Sequence, residues 1–172
     1  MTDASGGVTI RPEAAADAPA IHELLAHAFE TPAEAELVDR LSRDGDLVLS
    51  LVATDAAQAV VGHVAFPRLR VDSAGREWSA IGLAPLAVAA THRRRGIGAV
   101  LARAGLDRLA AQGETLVFVM GNPAYYTRFG FALETAQPFT CAYAGPYFMA
   151  LRLADAAPRA GTVRYPAAFD LG

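Results

Sequence analysis

The chain has 172 residues, 53 % of them hydrophobic and 19 % charged. This length is enough for the core of one domain and too short for two ordinary domains. Its 15 basic and 18 acidic residues give a net charge of −3, which argues against nucleic acid as the main partner because nucleic-acid binding depends on many phosphate contacts. Cys141 is the single cysteine, which excludes an intrachain disulfide and fits a reducing compartment.

The N-terminal half is predicted to contain a short strand, two helices and an antiparallel meander. Residues 8–11 are β-prone, and an alanine-rich helix follows from Ala14 to Phe29, with Asp17 as its N-cap. At the start of the second helix Thr31 can cap and Glu34 can complete a capping box, and the helix ends near Gly45. Three strands then follow, at residues 47–53, 59–70 and 77–88, separated by turns at 55–58 and 72–75.

The C-terminal half is predicted to begin with a helix that runs to about residue 113. It is followed by a strand at 115–120, a short helix from Asn122 to Gly130, and strands at 131–134 and 147–153. The tail, 154–172, has no clear element. The order β-α-α-β-β-β-α-β-α-β-β predicts a mixed α/β fold of the α+β type in one domain spanning residues 1–172, with a core at about 8–153.

Neither a leader nor a membrane anchor is expected. Residues 1–7 lack the positive and apolar regions of a secretory signal. The longest apolar run, residues 81–90, is too short to span a bilayer and is interrupted by Gly82 and Pro85. We therefore expect a cytoplasmic protein that does not bind membranes.

The most informative stretch is residues 83–101, which read as a buried strand, a loop and the start of a helix. The loop carries Arg93, Arg94 and Arg95, and Gly96 and Gly98 follow where the helix begins. The first N–H groups of a helix have no intrahelical partner, and glycines let an anion approach them closely. The stretch therefore indicates a site for a phosphate-bearing ligand, the alternative being an ordinary strand–helix connection with solvated arginines.

This loop resembles the acyl-CoA loop of the GCN5-related N-acetyltransferase (GNAT) family, which runs Arg/Gln-x-x-Gly-x-Gly/Ala after a strand. Arg93, Gly96 and Gly98 match those three positions. The resemblance implies the GNAT fold, a mixed and mostly antiparallel central sheet flanked by helices, with acetyl-CoA as the co-substrate. By the same resemblance, backbone groups of the preceding strand pair with the pantetheine and the loop wraps the pyrophosphate, and the implied residues are Leu86, Ala87, Val88, Arg93, Arg94, Arg95, Gly96, Ile97, Gly98 and Ala99.

A second constellation is Tyr125-Tyr126-Thr127-Arg128-Phe129-Gly130-Phe131. Gly130 can end a helix in a left-handed conformation and Phe131 can pack back on it, which leaves the two tyrosines unexplained. In the GNAT family, a tyrosine four residues before such a glycine often lies beside the CoA sulfur as general acid. Tyr126 has that position, the alternative being a core or CoA-contact tyrosine. Tyr125 is interpreted as packing, and the resemblance places Asn122 on the pantetheine or substrate side.

Acetyl transfer to an amine also calls for a base, since the nitrogen must be neutral to attack. The strand at 81–88 carries no carboxylate. His63 is the first candidate because histidine titrates near neutral pH. Glu77, Glu30 and His27 are the others, and each of the four could instead be structural or solvated.

The sequence therefore predicts an N-acetyltransferase in which a primary amine of a small molecule or peptide attacks acetyl-CoA directly in a ternary complex. Residues 121–131 and the tail 161–169 resemble the YhbS-like subgroup of predicted bacterial N-acetyltransferases. No metal is expected, because the four histidines are scattered and lack ligand spacing. A homodimer is compatible with the family. Two alternatives remain: an acyl-CoA sensor without catalytic activity on the same fold, and a protein directed to nucleic acid through its arginines.

Overall fold

The computed structural model describes residues 7–170. The segment 1–7, which was expected to carry no secretory signal, therefore lies outside the described part except for Gly7. The helices longer than one turn are α1 (Ala18–Ala28), α2 (Ala33–Asp44) and α3 (Ile97–Ala111), and two short ones are α4 (Pro123–Tyr126) and α5 (Leu133–Ala136). The strands are β1 (Thr9–Pro12), β2 (Leu47–Thr54), β3 (Val60–Ser73), β4 (Arg76–Gly82), β5 (Leu86–Val88), β6 (Leu116–Met120), β7 (Phe139–Thr140), β8 (Phe148–Arg152) and β9 (Gly161–Arg164).

The sheet is built around β3, whose 14 residues pair with four other strands. Its first half lies between β2 and β5, and its second half lies between β9 and β4. β1 extends the sheet beyond β2, while β6 and β8 extend it beyond β4. All pairs are antiparallel except β4 with β6 and β7 with β9. The predicted mixed, mostly antiparallel sheet flanked by helices is confirmed.

The strand predicted at residues 77–88 is interrupted, and that prediction was wrong in one respect. β4 ends at Gly82, and β5 begins only at Leu86, after a cis peptide bond between Ala84 and Pro85. β4 pairs with β6 up to Gly82, and Leu83 N–H still donates to the carbonyl of β6 at Phe118. β5 then pairs only with β3. Proline lacks the N–H that a continuous ladder needs, so the two strands part here.

The helices cover the two faces of the sheet. α3 packs on one face through Ile97 and Leu101, which are buried with side chains of β2 and β3. α1 and α2 cover the other face, where Leu25 and Val38 meet Ala65 of β3. No helix within residues 7–170 has the length and apolar character needed to cross a bilayer.

Three local predictions differ from the structure. The tail forms β9, which pairs with β3 and β7, because its short alternating stretch completes an edge of the sheet. Residues 131–134 form only a single bridge, Ala132 with Ala150, before α5 begins. Asp17 occupies the predicted N-cap position of α1, but its carboxylate makes no capping hydrogen bond and instead accepts hydrogen bonds from Arg11 and from the Ala14 amide.

The close approach of α3 to the sheet predicts a cost for any side chain at Gly105. A Cβ there would lie 2.2 Å from Cε2 of Phe66. Overpacking a core costs about 1–3 kcal/mol, whereas Gly→Ala gains about 1 kcal/mol in helix propensity. We expect Gly105→Ala to lower the midpoint of urea denaturation, and the exposed Asp107→Ala in the same helix to leave it unchanged or raise it. A Gly105→Ala variant as stable as the wild type would contradict this close packing.

Candidate active site

One edge of β5 is left unpaired by the parting of β5 from β6. The carbonyl of Pro85 accepts a hydrogen bond from β3 at 3.1 Å, and Ala89 N–H donates one to β3 at 2.8 Å. Along an antiparallel pair, residues that hydrogen-bond to the neighbouring strand, as Pro85 and Ala89 do, alternate with residues whose N–H and C=O point away from that strand. Ala87 therefore bonds to β3, while the backbone groups of Leu86 and Val88 face the other edge. No other strand of the described chain pairs with that edge.

A cavity of about 280 Å³ lies between the loop that follows β5 and the N-terminus of α3. Gly96 is the N-cap of α3 with a φ of 77°, and Arg94 also has a positive φ, of 66°. The N–H groups of the first turn have no intrahelical acceptor and carry the positive end of the helix dipole. We call this the loop cavity, and its lining residues are Val88, His92, Arg93, Arg94, Gly96, Ile97, Gly98, Ala99, Tyr125 and Arg128.

Two lining residues of the loop cavity were not recognised from the sequence. Tyr125, interpreted as packing, lies over the start of α3, and its hydroxyl oxygen is 2.9 Å from where a Cβ at Gly98 would be. The guanidinium of Arg128 lies 4.6 Å from the centre of the Tyr125 ring. Gly98 thus makes room for the tyrosine as well as for a ligand. The cation on Arg128 adds to the positive potential of the cavity.

A second cavity, of about 300 Å³, opens where β5 parts from β6. Its floor is the segment between β4 and β5 together with β6. Its walls come from Phe29 just after α1, from α2 and α4, from Tyr143 and from the C-terminal tail. We call it the tyrosine cavity. Its lining residues are Phe29, Glu34, Leu37, Gly82, Leu83, Ala84, Pro85, Leu86, Phe118, Val119, Met120, Tyr126, Tyr143, Tyr165 and Phe169.

Tyr126 is held in the tyrosine cavity by packing alone. Its ring makes edge contacts with Phe129 and Phe131, at 6.2 and 6.1 Å between ring centres. A Cβ at Gly121 would lie 2.5 Å from its Cε2, so the preceding turn needs glycine here. Burial raises the pKa of Tyr126 to about 12, so its hydroxyl is protonated at neutral pH and can donate a hydrogen bond.

The two cavities meet along β5 and along the tyrosine pair. Leu86 lines the tyrosine cavity and Val88 lines the loop cavity. Likewise, Tyr126 lines the tyrosine cavity and Tyr125 lines the loop cavity, and their rings are in edge contact with 5.0 Å between the ring centres. An extended ligand with an anionic end could therefore lie along the unpaired edge of β5 and present its other end to Tyr126.

Three of the predicted ligand-binding residues are placed differently from the rest. The backbone of Ala87 is engaged by β3, and Arg95 is exposed without lining either cavity. The side chain of Asn122 caps α4, accepting a hydrogen bond from Ala124 N–H at 3.0 Å. It lines neither cavity, because a short helix that begins at Pro123 needs this cap.

His63 is fully buried under α1 and α2, on the face of β3 that carries Ala65. Its Nε2 lies 2.9 Å from the hydroxyl of Ser50, which donates a hydrogen bond to Glu13, and its Nδ1 has no partner within the described residues. Burial lowers the pKa of His63 to about 4. It lines neither cavity, so this placement does not support it as a base.

The other three candidate bases also lie outside the tyrosine cavity. Glu77 pairs with Arg164 on the surface, Glu30 is exposed, and the His27 ring is hydrogen-bonded to the carbonyl of Glu23. Within residues 7–170, no three His, Cys, Asp or Glu side chains are grouped as metal ligands would be.

The tyrosine cavity does contain one carboxylate, Glu34, which the sequence pattern places in a capping box. Its Oε1 is buried without a hydrogen-bond partner in the described chain, so the capping box does not form. Acidic residues are common in the first turn of a helix, so the pattern around Glu34 carries no signal of this placement.

Comparisons with known proteins agree on one family. The sequence model described as an acetyltransferase (GNAT) domain matches residues 9–133. The uncharacterized N-acetyltransferase YhbS of Escherichia coli K12 is 43 % identical over 148 residues, which cover 85 % of this chain and 87 % of YhbS.

Two solved structures are similar over nearly the whole chain. The structure of E. coli YhbS in complex with CoA has a TM-score of 0.88 at 39 % identity, covering 99 % of this chain and 96 % of that one. A GNAT acetyltransferase from Brucella melitensis in complex with acetyl-CoA has a TM-score of 0.79 at 33 % identity, covering 95 % and 98 %.

The burial of His63 predicts a loss of stability in mild acid. In the unfolded chain His63 has its ordinary pKa of 6.5 and binds a proton below that pH, whereas in the folded protein it takes up this proton only near pH 4. The free energy of unfolding should therefore fall as the pH drops from 6.5 to 4, by about 3 kcal/mol in all. Urea denaturation at several pH values measures this.

In that series His63→Gln should flatten the dependence of the unfolding free energy on pH. Equal slopes in wild type and His63→Gln would contradict the assignment.

Proposed function

The chain belongs to the GNAT family of N-acetyltransferases, and from that premise we propose that it transfers the acetyl group of acetyl-CoA directly to a primary amine, with Tyr126 as the general acid. The observation that carries this proposal is the unpaired edge of β5, which connects a cavity suited to an anion with a cavity that holds Tyr126. Both substrates would be bound at once, which supplies a high effective concentration.

In this proposal the pyrophosphate of acetyl-CoA lies in the loop cavity. The first-turn N–H groups of α3, from Ile97 onward, and the guanidinium of Arg93 are its donors. The pantetheine then runs along β5 and pairs with the backbone of Leu86 and the N–H of Val88, since the Val88 carbonyl already accepts a hydrogen bond from Nε of Arg93 at 3.2 Å. The structures of related proteins with CoA and acetyl-CoA support this choice of ligand, as does the lack of a Gly-Lys-Ser/Thr loop for a nucleotide.

The reaction takes place in the tyrosine cavity. An acceptor that arrives as an ammonium ion first loses one proton to solvent. The neutral nitrogen then forms a bond to the thioester carbon as the carbon–sulfur bond breaks. A second proton leaves the nitrogen and the sulfur takes up one, so that the amide and the free thiol of CoA are the products. Backbone N–H groups on the unpaired edge of β5, near Leu86, are placed to stabilise the carbonyl oxygen as it gains negative charge.

Tyr126 is proposed to act on the departing sulfur. A group with a pKa of about 12 is a weaker acid than a thiol, whose ordinary pKa is about 8.5. Full transfer of the proton to a free thiolate would therefore be uphill. The hydroxyl acts best while charge is still developing on sulfur, when a hydrogen bond in a partly dehydrated cavity is strong.

The proposed pyrophosphate site predicts that Gly96→Asp weakens CoA binding by at least tenfold, since a carboxylate would face the phosphates. Gly113→Asp is a matched control. It lies just beyond the other end of α3, also has a positive φ (89°), and no atom lies within 4 Å of the position that a Cβ would take there. Isothermal titration with CoA compares the two, and equal affinities would refute this site.

The proposed general acid predicts that Tyr126→Phe lowers kcat by roughly 10²- to 10⁴-fold, with CoA affinity unchanged. Tyr147→Phe, at an exposed tyrosine outside both cavities, should keep the wild-type kcat. Release of free thiol from acetyl-CoA over a panel of amines measures the rate. CoA binding with no amine acetylated, and no effect of Tyr126→Phe, would instead indicate an acyl-CoA sensor.

A further inference from the structure

We propose that the tyrosine cavity selects a particular class of acceptor: a monoamine with an apolar body, whose ammonium group is recognised by Glu34. This rests on the proposed function, since it names the substrate of the same site. The observations that carry it are an unpartnered buried carboxylate oxygen and an otherwise uncharged lining of apolar and aromatic side chains.

The Glu34 carboxylate is not used by the fold around it. Thr31 Oγ1 accepts the Ala33 amide at 3.3 Å, and the Pro32 carbonyl accepts the Glu36 amide at 3.0 Å, so the start of α2 is organised without Glu34. A buried acceptor without a donor costs about 1–3 kcal/mol, and more for a charged group. An ammonium ion in the cavity would supply that donor, together with the opposite charge.

Glu34 is the one charged side chain among the described residues that line the cavity. An acceptor with a carboxylate or phosphate would find no cation there and would be repelled by Glu34. An acceptor with two or more ammonium groups would bury at least one of them without a partner, which is costly. The charge of the lining therefore favours a single positive group.

The remaining walls are apolar and aromatic. The rings of Tyr143, Tyr165 and Phe169 form a cluster, with 4.8 Å between the first two ring centres and 4.9 Å between the last two. Phe29, just after α1, and Leu37 of α2 add apolar surface. Aromatic faces bury hydrocarbon and also attract cations. A volume of about 300 Å³ is at the lower limit of small-molecule sites, so the body of the acceptor must be small.

A matched set of amines tests this selection, with 2-phenylethylamine as the probe. Phenylalanine adds a carboxylate to it, and 1,4-diaminobutane replaces its ring by a second ammonium group. We expect kcat/KM for 2-phenylethylamine to exceed the kcat/KM for phenylalanine and that for 1,4-diaminobutane by at least tenfold. Phenylalaninamide carries the same ammonium and ring next to an amide, and its rate distinguishes a peptide N-terminus from a free monoamine as the source of this chemistry.

Glu34→Gln keeps the size of the side chain and removes its charge. We expect it to raise KM for 2-phenylethylamine at least tenfold while changing kcat less, and to leave CoA affinity unchanged. Glu36→Gln is the matched control, because Glu36 lies in the same first turn of α2 but is exposed and outside the cavity. It should behave as the wild type.

Calorimetric titration of 2-phenylethylamine into the CoA-saturated protein separates the two proposals. Binding that Glu34→Gln abolishes, without turnover, would support recognition by Glu34 and overturn acetyl transfer. Efficient turnover of the diamine or the amino acid, unaffected by Glu34→Gln, would support acetyl transfer and overturn the selection proposed here.

Discussion

The parting of β5 from β6 is the constraint on which the rest of this structure depends. Up to Gly82 the sheet is continuous, and beyond Leu83 no backbone hydrogen bond joins the two strands within the described chain. Backbone N–H and C=O groups are nearly always paired with protein or with water, and Leu86 and Val88 on this edge are half-buried. Here the open edge leads into both cavities. The strand break thus leaves backbone groups without the strand partner that a continuous sheet would have given them.

The core on either side holds this opening in place. α3 is fixed to β3 at Gly105, where the helix approaches the ring of Phe66 closely, and the same helix presents its N-terminus to the loop cavity. On the opposite face α1 and α2 pack on Ala65 and Ala87 and carry Glu34 to the tyrosine cavity. The helices α3 and α2, on opposite faces, thereby border two electrostatically different cavities: helix N–H groups and arginines line one, and a single carboxylate lines the other.

The sequence predicted the family and the sheet well, because these depend on local patterns, whereas the anion-binding loop stays a prediction. The motif of Gly96 and Gly98 after an apolar strand is recognisable within a few consecutive residues. Family membership is confirmed by the comparisons. The tyrosine cavity, proposed to hold the amine, could not be predicted in this way. Its lining residues are spread along the chain from Phe29 to Phe169, and neither of Glu34 and Phe169 stands out locally. His63 illustrates the converse: a histidine in a strand has no local sign of which face it occupies.

Burial has opposite consequences for Tyr126 and Glu34 in the tyrosine cavity. It keeps the Tyr126 hydroxyl neutral, with a pKa of about 12, so that this group is a donor at any physiological pH. It leaves Glu34 Oε1 as an acceptor without a donor. In the proposed reaction the amine brings donors and the departing sulfur brings an acceptor. The substrates would therefore complete a hydrogen-bonding arrangement that the protein alone leaves unfinished, and a low-dielectric cavity increases what each of those bonds contributes.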